Sequence, residues 1–160
     1  MSIADATVEI QNSESSDKDM ILLDTDHLSV LTDRRSSQHA ILVNRLQSAS
    51  DQNIVIPIIA VEEQCRGWLA EINRQRGPVK QVSPYQHFYE LLMGLRNIAL
   101  CPFSRVAADE FLNQRGNGVN IGSNDLKIAS MALTEEALLL TANFRDFEKV
   151  SGLKLANWLQ

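Results

Sequence analysis

Acidic side chains follow two hydrophobic runs of this chain at the points where buried strands would end. Asp24 comes directly after the apolar run Met20–Leu23, and Asp146 lies a few residues past a second run that ends at Thr141. Asp125 stands in the first turn of a helical pattern, where the helix N-terminus stabilises an ionised carboxylate. Because function in a parallel sheet gathers outside the carboxyl ends of the strands, we expect these three acids to lie together.

A fourth carboxylate comes from the adjacent pair Glu62 and Glu63. Apolar residues recur there at steps of four, three and four, the spacing of a helix that faces a core: Val61, Cys65, Trp68 and Ile72. Glu63 points away from that stripe and shares its own face with Gly67 and Ala70. Since consecutive helical residues diverge by about 100°, the two glutamates cannot both reach one site, and we select Glu63.

Carboxylates that converge without basic partners repel one another unless a cation lies between them. Hard divalent ions prefer oxygen ligands, so Mg²⁺ or Mn²⁺ is the expected occupant. Two such ions about 4 Å apart can activate a water and stabilise the leaving oxygen of a phosphodiester. Each acid alone is more often a surface charge or a helix cap, and their shared placement at one sheet edge is what favours a metal site.

Short apolar runs alternate with helical patterns along the chain. Strands are predicted at Met20–Leu23, 54–56, 98–100, 137–140 and 153–155. Helices are predicted at 38–47, from residue 60 to the stop at Gly77, over a pattern that includes 85–95, and at 106–112 and 124–133. This alternation predicts the α/β class, with a mostly parallel central sheet covered by helices on both faces.

Two groups of residues are expected to be buried. An aromatic and aliphatic stripe repeats at helical spacing and is interpreted as core rather than as a platform for base stacking: Tyr85, Phe88, Leu92 and Leu95. Cys65 and Cys101 lie far apart in neither a disulfide nor a zinc spacing, so they are interpreted as small buried hydrophobes.

Length and composition limit the number of domains and the class of protein. The chain has 160 residues, 44% of them apolar, and a formal net charge of −5, which fits one ordinary domain. Five acids and one base fall in residues 1–19, which are predicted to be a disordered extension before a folded domain at 20–160. No apolar run of about 18 residues and no basic start before an apolar stretch occur, so we expect neither a membrane span nor a secretory signal, and a cytoplasmic location.

Four segments together resemble one known family, the PIN-domain ribonucleases of the VapC type, which are toxins of prokaryotic toxin–antitoxin modules. The segments, in chain order, are Leu22-Leu23-Asp24-Thr25-Asp26-His27-Leu28-Ser29, Val61-Glu62-Glu63-Gln64-Cys65-Arg66-Gly67, Ile121-Gly122-Ser123-Asn124-Asp125-Leu126-Lys127-Ile128-Ala129, and Thr141-Ala142-Asn143-Phe144-Arg145-Asp146-Phe147 with the closing Val150-Ser151-Gly152-Leu153. The third segment is the most specific, and the resemblance spans 20–158. It implies a PIN-like three-layer sandwich.

The resemblance also implies roles for individual residues. Asp24, Glu63 and Asp125 would bind Mg²⁺, and Thr141 would orient water or metal. Asn124 would be a supporting residue of the site. Asp26 stands where such proteins usually carry Asn, so it adds a metal ligand or serves as a cap. Asn143 stands where many carry the fourth acid, so either its amide oxygen or the carboxylate of Asp146 fills that position.

The implied activity is metal-dependent cleavage of structured RNA, usually tRNA, by a homodimer that a small antitoxin restrains. A cluster of basic residues could hold RNA phosphates, with a solvated helix face as the alternative: Arg66, Arg74, Arg76 and Lys80. Asp24-Thr25-Asp26 is also similar to haloacid-dehalogenase-type phosphatases, but Leu28 and the position of Lys127 depart from their pattern. A PIN-like module that only binds RNA or protein, with Asn143 as the lost acid, is the non-enzymatic alternative.

Overall fold

A computed structural model describes residues 19–160, and the predicted extension lies outside the described residues except for Asp19. The strands are β1 Met20–Leu23, β2 Asn53–Pro57, β3 Ala99–Cys101, β4 Leu138–Leu140 and β5 Lys154–Ala156. The helices are α1 Thr25–Thr32, α2 His39–Ser48, α3 Ile58–Arg74, α4 Pro78–Leu95, α5 Arg105–Gly116, α6 Ser123–Thr134 and α7 Phe144–Phe147. The backbone carbonyl of Asp19 accepts a hydrogen bond from the amide of Asn53, so the ordered pairing begins one residue before the predicted boundary.

The five strands form one sheet in the order β3-β2-β1-β4-β5, and every neighbouring pair is parallel. Adjacent residues of a strand point to opposite faces, yet Ile21, Leu22 and Leu23 are all fully buried. Helices therefore cover both faces, and the predicted α/β sandwich is confirmed. From β1 the chain adds β2 and β3 on one side of the sheet, and then β4 and β5 on the other side. The switch point lies between β1 and β4, and a site is expected in the crevice at the carboxyl ends of these two strands.

The predicted strands are each found within about one residue of their expected bounds, a normal margin for element ends. The two short helices α1 and α7 were not predicted. In α1 only His27 and Leu28 are buried, and the apolar residues of this eight-residue segment, Leu28, Val30 and Leu31, are too few to show a helical period from the sequence alone. Its start is fixed instead by Asp24, whose side chain accepts a hydrogen bond from the Thr25 amide.

The interpretation of the stripe on α4 as core is wrong for two of its four members. Tyr85 is 54% exposed and Leu92 is 48% exposed, whereas Phe88 and Leu95 are half-buried. The fully covered residues of this helix are Pro84 and Leu91. Apolar residues occur on two faces of α4, and spacing alone does not indicate which face packs inward.

Of the two cysteines, Cys101 is buried as expected, while Cys65 on α3 is only half-buried, and both are free thiols. No helix between Asp19 and Gln160 combines the length and the apolarity that a membrane crossing requires.

Candidate active site at the carboxyl ends of β1 and β4

Asp24 is a buried carboxylate at the end of β1, with 5% of its surface exposed. The register pairs Leu23 with Leu140, so the residues that follow these two strands, Asp24 and Thr141, stand side by side. Asp24 Oδ2 accepts a hydrogen bond of 2.8 Å from the Thr141 hydroxyl, and Oδ1 accepts one of 2.8 Å from the Thr25 amide. Burial, and then the charges of Asp26 and Asp125, raise the pKa of Asp24 to about 7 despite these bonds.

Asp26 lies beside Asp24, but both of its carboxylate oxygens accept hydrogen bonds from protein donors. Oδ1 accepts from the backbone amide and from ring Nδ1 of His27, both at 2.6 Å, and Oδ2 accepts from the Ala142 amide at 2.7 Å. Burial opposes its ionisation, but the hydrogen bonds outweigh that effect and lower the pKa of Asp26. His27 Nε2 in turn accepts from the Trp158 amide at 3.1 Å, so Nδ1 carries the ring proton.

Glu63 reaches the same crevice from α3. Its Oε2 accepts a hydrogen bond from the Thr25 hydroxyl, and its Oε1 accepts one of 3.0 Å from the side-chain amide of Asn124. These contacts tie α3 to α1 and to the first turn of α6. Glu62 instead is exposed and pairs with Arg66 one helical turn away, as expected when only one of the two glutamates faces the crevice.

Asp125 lies in the first turn of α6 and is half-buried. Its burial, followed by the charges of Glu63, Asp146 and Asp26, raises its pKa. Such an effect requires that these carboxylates lie near one another, so four elements, α1, α3, α6 and α7, bring acids to one place.

Asn143 and Asp146 occupy the end of the cluster nearest α7. Asn143 Nδ2 donates to Asp146 Oδ2 at 3.2 Å and lies 3.5 Å from Asp125 Oδ2, so its amide bridges the two acids. Asp146 Oδ1 accepts from Lys149 Nζ at 2.8 Å. Those hydrogen bonds, the lysine's being the larger effect, lower the pKa of Asp146. Asp146 therefore differs from Asp24, Glu63 and Asp125 in having a basic partner.

The three acids without a basic partner define the chemistry of the crevice. No salt bridge within residues 19–160 involves Asp24, Glu63 or Asp125. In the same part of the chain, no three acidic, histidine or cysteine side chains stand close enough to ligate one ion jointly. Because Mg²⁺ keeps several of its waters and binds through one or two carboxylates, this donor set still fits a hydrated divalent ion.

The expected basic cluster is divided in two by the structure. Arg66 pairs with Glu62 and Arg74 pairs with Glu71, so neighbours on α3 compensate both charges. Arg76 is exposed in the turn between α3 and α4, and Lys80 is exposed in the first turn of α4; neither forms a salt bridge with any residue from 19 to 160.

Two residues were missed by the sequence-based search for site residues. Thr25 holds Glu63 through its hydroxyl, and His27 holds Asp26 through its ring. Thr25 lies between two candidate acids, which was the available signal. His27 gave none, because a histidine in a polar segment does not reveal that it will be fully buried.

Two comparisons show similarity to known protein sequences. A family model described as the PIN domain matches residues 21–153. Ribonuclease VapC2 of Rickettsia felis is 49% identical over 41 residues, which are 26% of this chain and 31% of that protein, so the match spans about a third of the relative's length.

Solved structures share the fold. VapBC2 from Rickettsia felis, bound to a DNA fragment from their promoter, gives a TM-score of 0.68 at 24% identity and covers 87% of this chain and 98% of that one. A toxin–antitoxin complex from Klebsiella pneumoniae gives 0.59 at 19% identity over 86% and 97% of the two chains.

Proposed function

The chain belongs to the PIN-domain family. We propose that it is a divalent-metal-dependent endoribonuclease. It hydrolyses RNA phosphodiester bonds, with tRNA or another structured RNA as substrate, and is the toxin of a type II toxin–antitoxin system. The name ribonuclease VapC2, carried by the relative that matches a quarter of the chain, supports RNA as the substrate. That match covers 31% of the relative, so the activity of this chain is tested by a direct assay.

One observation carries the proposal: the carboxylates of Asp24, Glu63 and Asp125 lie around one crevice, and no salt bridge within residues 19–160 involves any of them. Burial, and then the charges of Asp26 and Asp125, raise the pKa of Asp24 to about 7. Such an arrangement costs free energy unless a cation relieves it. Mg²⁺, or Mn²⁺ in its place, prefers oxygen ligands and fits this need.

Asp24, Glu63 and Asp125 would hold a hydrated metal ion, with one or two of them as direct ligands and the rest bound through its waters. A bound divalent ion would supply an activated water and stabilise the charge that develops on the phosphodiester. Thr141 aims Asp24 by its hydrogen bond, while Thr25 and Asn124 fix the two oxygens of Glu63. The three donors come from the loop after β4, from α1 and from α6, and they hold Asp24 and Glu63 in place before substrate arrives.

The fourth position is assigned to Asp146, with Asn143 in a supporting role. The negative charge of Asp146 helps to raise the pKa of Asp125, so it acts on a member of the carboxylate cluster. Asn143 contacts both acids and can transmit a displacement of one to the other. Its amide does not supply the negative charge that a divalent ion needs.

The partners follow from the chemistry of the surface and from the relatives. Arg76 and Lys80 are free to contact RNA phosphates, and Arg66 and Arg74 could join them by exchanging a glutamate for a phosphate. A small antitoxin that lays basic or apolar groups across the acidic crevice would block the site. The toxin–antitoxin complex with the same fold supports this partner, and a homodimer is proposed by the same resemblance.

The test is cleavage of total RNA by the purified protein in Mg²⁺, followed by mapping of the ends. Hydrolysis by a metal-activated water should leave a 5′ phosphate and a 3′ hydroxyl. Small phosphoesters are assayed beside it, because a haloacid-dehalogenase-type enzyme would form an aspartyl-phosphate and release phosphate from them. Phosphate release without RNA cleavage would favour that phosphatase, and binding without either reaction would favour the inactive module.

A further inference from the structure

A cavity of about 500 Å³ lies between α3 and α4 and begins at Glu63. Its other lining residues include Gln64, Gly67, Trp68, Ser83 and His87. Glu63 therefore belongs both to the carboxylate cluster and to this cavity. Pockets of roughly 300–1,000 Å³ are large enough for small-molecule-sized groups. A group that enters this one would lie directly beside the proposed reaction centre.

An aromatic pair forms one wall of the cavity. The rings of Trp68 and His87 stack with their centroids 4.7 Å apart and an angle of 4° between their planes. Both residues line the cavity and are half-buried, so part of the pair is accessible from the cavity. Flat aromatic surfaces of this kind bind nucleobases by stacking, whatever the identity of the base.

Gly67 leaves the cavity open at a position where the fold itself has no use for a glycine. It lies inside α3, where glycine weakens a helix relative to alanine. A Cβ atom placed on it would meet nothing within 4 Å. Gly94 on α4 is different, since a Cβ there would come within 3.3 Å of Thr32 Cγ2 and packing explains it. The free space at Gly67 is therefore available to something that approaches from outside.

The charge of the cavity indicates what that occupant is. Glu71 lines it as well, but Arg74 binds this carboxylate through two nitrogens and Gln75 donates to it at 2.7 Å. Glu63 faces the proposed metal. With a divalent ion bound, neither acid presents an uncompensated charge, so the cavity suits a neutral flat ring better than a basic peptide.

We propose that the cavity between α3 and α4 binds a nucleobase of the RNA next to the scissile phosphate, with Trp68 as the stacking surface and Gly67 as the opening. This inference rests on the proposed ribonuclease function and adds a subsite to it. Because the site accepts a base by its face, the stacking contributes affinity without choosing the base.

The test measures binding without turnover. In a Trp158→Phe background, Trp68 is the remaining one of the two tryptophans, and a short single-stranded RNA of mixed sequence with non-hydrolysable internucleotide linkages is titrated in Mg²⁺. We expect saturable quenching of Trp68 fluorescence. Adding Gly67→Leu should weaken binding about tenfold, the cost of overfilling a packed contact. Gly67→Ala should have a smaller effect in the same direction.

Two controls separate this result from misfolding. Gly116→Ala adds a methyl group at the end of α5, where a Cβ also meets nothing within 4 Å, and should leave RNA binding unchanged. The melting temperature of Gly67→Ala should stay the same or rise, because alanine favours the helix. RNA affinity lost together with the fold in Gly67→Ala would overturn the proposal.

Other outcomes would also overturn it. Absence of quenching, or equal RNA affinity in the Gly67→Leu variant, would show that no base occupies the cavity. Loss of a polypeptide partner's binding with unchanged RNA affinity would assign the cavity to that partner. Cleavage is measured separately with ordinary, hydrolysable RNA, so a protein that binds the RNA at Gly67 but never cuts it would contradict the ribonuclease function alone.

Discussion

The hydroxyl of Thr141 donates a 2.8 Å hydrogen bond to Oδ2 of Asp24, across 117 residues of sequence. Neither side chain has more than 5% of its surface exposed. The same hydroxyl oxygen accepts the Asn143 amide at 3.0 Å, which fixes the direction in which its proton points. Thr141 therefore sets the position of the most buried acid of the cluster.

Replacing that hydroxyl should weaken the site without changing its shape. In Thr141→Val, Asp24 loses a hydrogen bond that lowers its pKa, so the pKa rises further and Mg²⁺ must displace a proton more often. We expect RNA cleavage to fall by roughly tenfold at neutral pH and to recover in part at higher pH. Thr141→Ser keeps the hydroxyl and should retain most of the activity. Equal loss in both variants would show that the methyl group, not the hydroxyl, matters.

We expect the side chain of Asp26 to link α1 to the loop after β4 through hydrogen bonds rather than to bind metal. In Asp26→Asn, the amide nitrogen must face either the donors of His27 or the Ala142 amide, and both are already donors. The free energy of unfolding should fall by about 1–3 kcal/mol. Asp33→Asn, on an exposed acid of the same segment, is the matched control and should change it little. If Asp26 were a ligand, the metal-free protein would be unaffected or stabilised and only Mg²⁺ affinity would fall.

The sequence predicted the sheet and its acids more completely than the contacts that position them. Consecutive apolar residues identified the strands, because a strand buried on both faces reads as one short apolar run. Helical spacing favoured Glu63 over Glu62, since it distinguishes the side of a helix opposite the core stripe. Spacing carries no information on pairs far apart in sequence, such as Glu63 with Asn124, or on which face of α4 would be left exposed at Tyr85.

Stability of the metal-free protein should depend on pH through Asp24. Its pKa is about 7 in the folded state against an ordinary value of 3.8, so between these values the folded protein holds a proton that the unfolded chain has released. Stability should decrease as pH rises through this window and then level off. Thermal unfolding in EDTA at about pH 5 and about pH 8 checks this, and Asp24→Asn should flatten the difference. A wild-type melting temperature that rises over the same interval would contradict the assignment.

Added Mg²⁺ should raise the melting temperature more at the higher pH, where Asp24 is ionised and its repulsion with neighbouring acids is greatest. The Asp24→Asn variant should respond less. An equal Mg²⁺ response in both proteins would mean that the ion binds elsewhere.

The fourth position can be decided by two variants compared side by side. Asp146→Asn removes a charge that acts on Asp125, so Mg²⁺ affinity should fall by about tenfold. Asn143→Ala removes a neutral bridge and should have a smaller effect. Glu148→Gln, on an exposed acid two residues beyond Asp146, is the control for a general loss of negative charge. A larger defect in Asn143→Ala than in Asp146→Asn would give the position to the amide.

The most direct measurement is RNA cleavage by the wild-type protein and by Asp24→Asn, each in Mg²⁺ and in EDTA. Asn has nearly the shape of Asp but lacks the charge that a divalent ion requires, so the variant should keep its fold. We predict cleavage by the wild-type protein in Mg²⁺ alone, with no cleavage in EDTA and none by the variant in either condition. Cleavage that persists in EDTA, or full activity of Asp24→Asn in Mg²⁺, would contradict it.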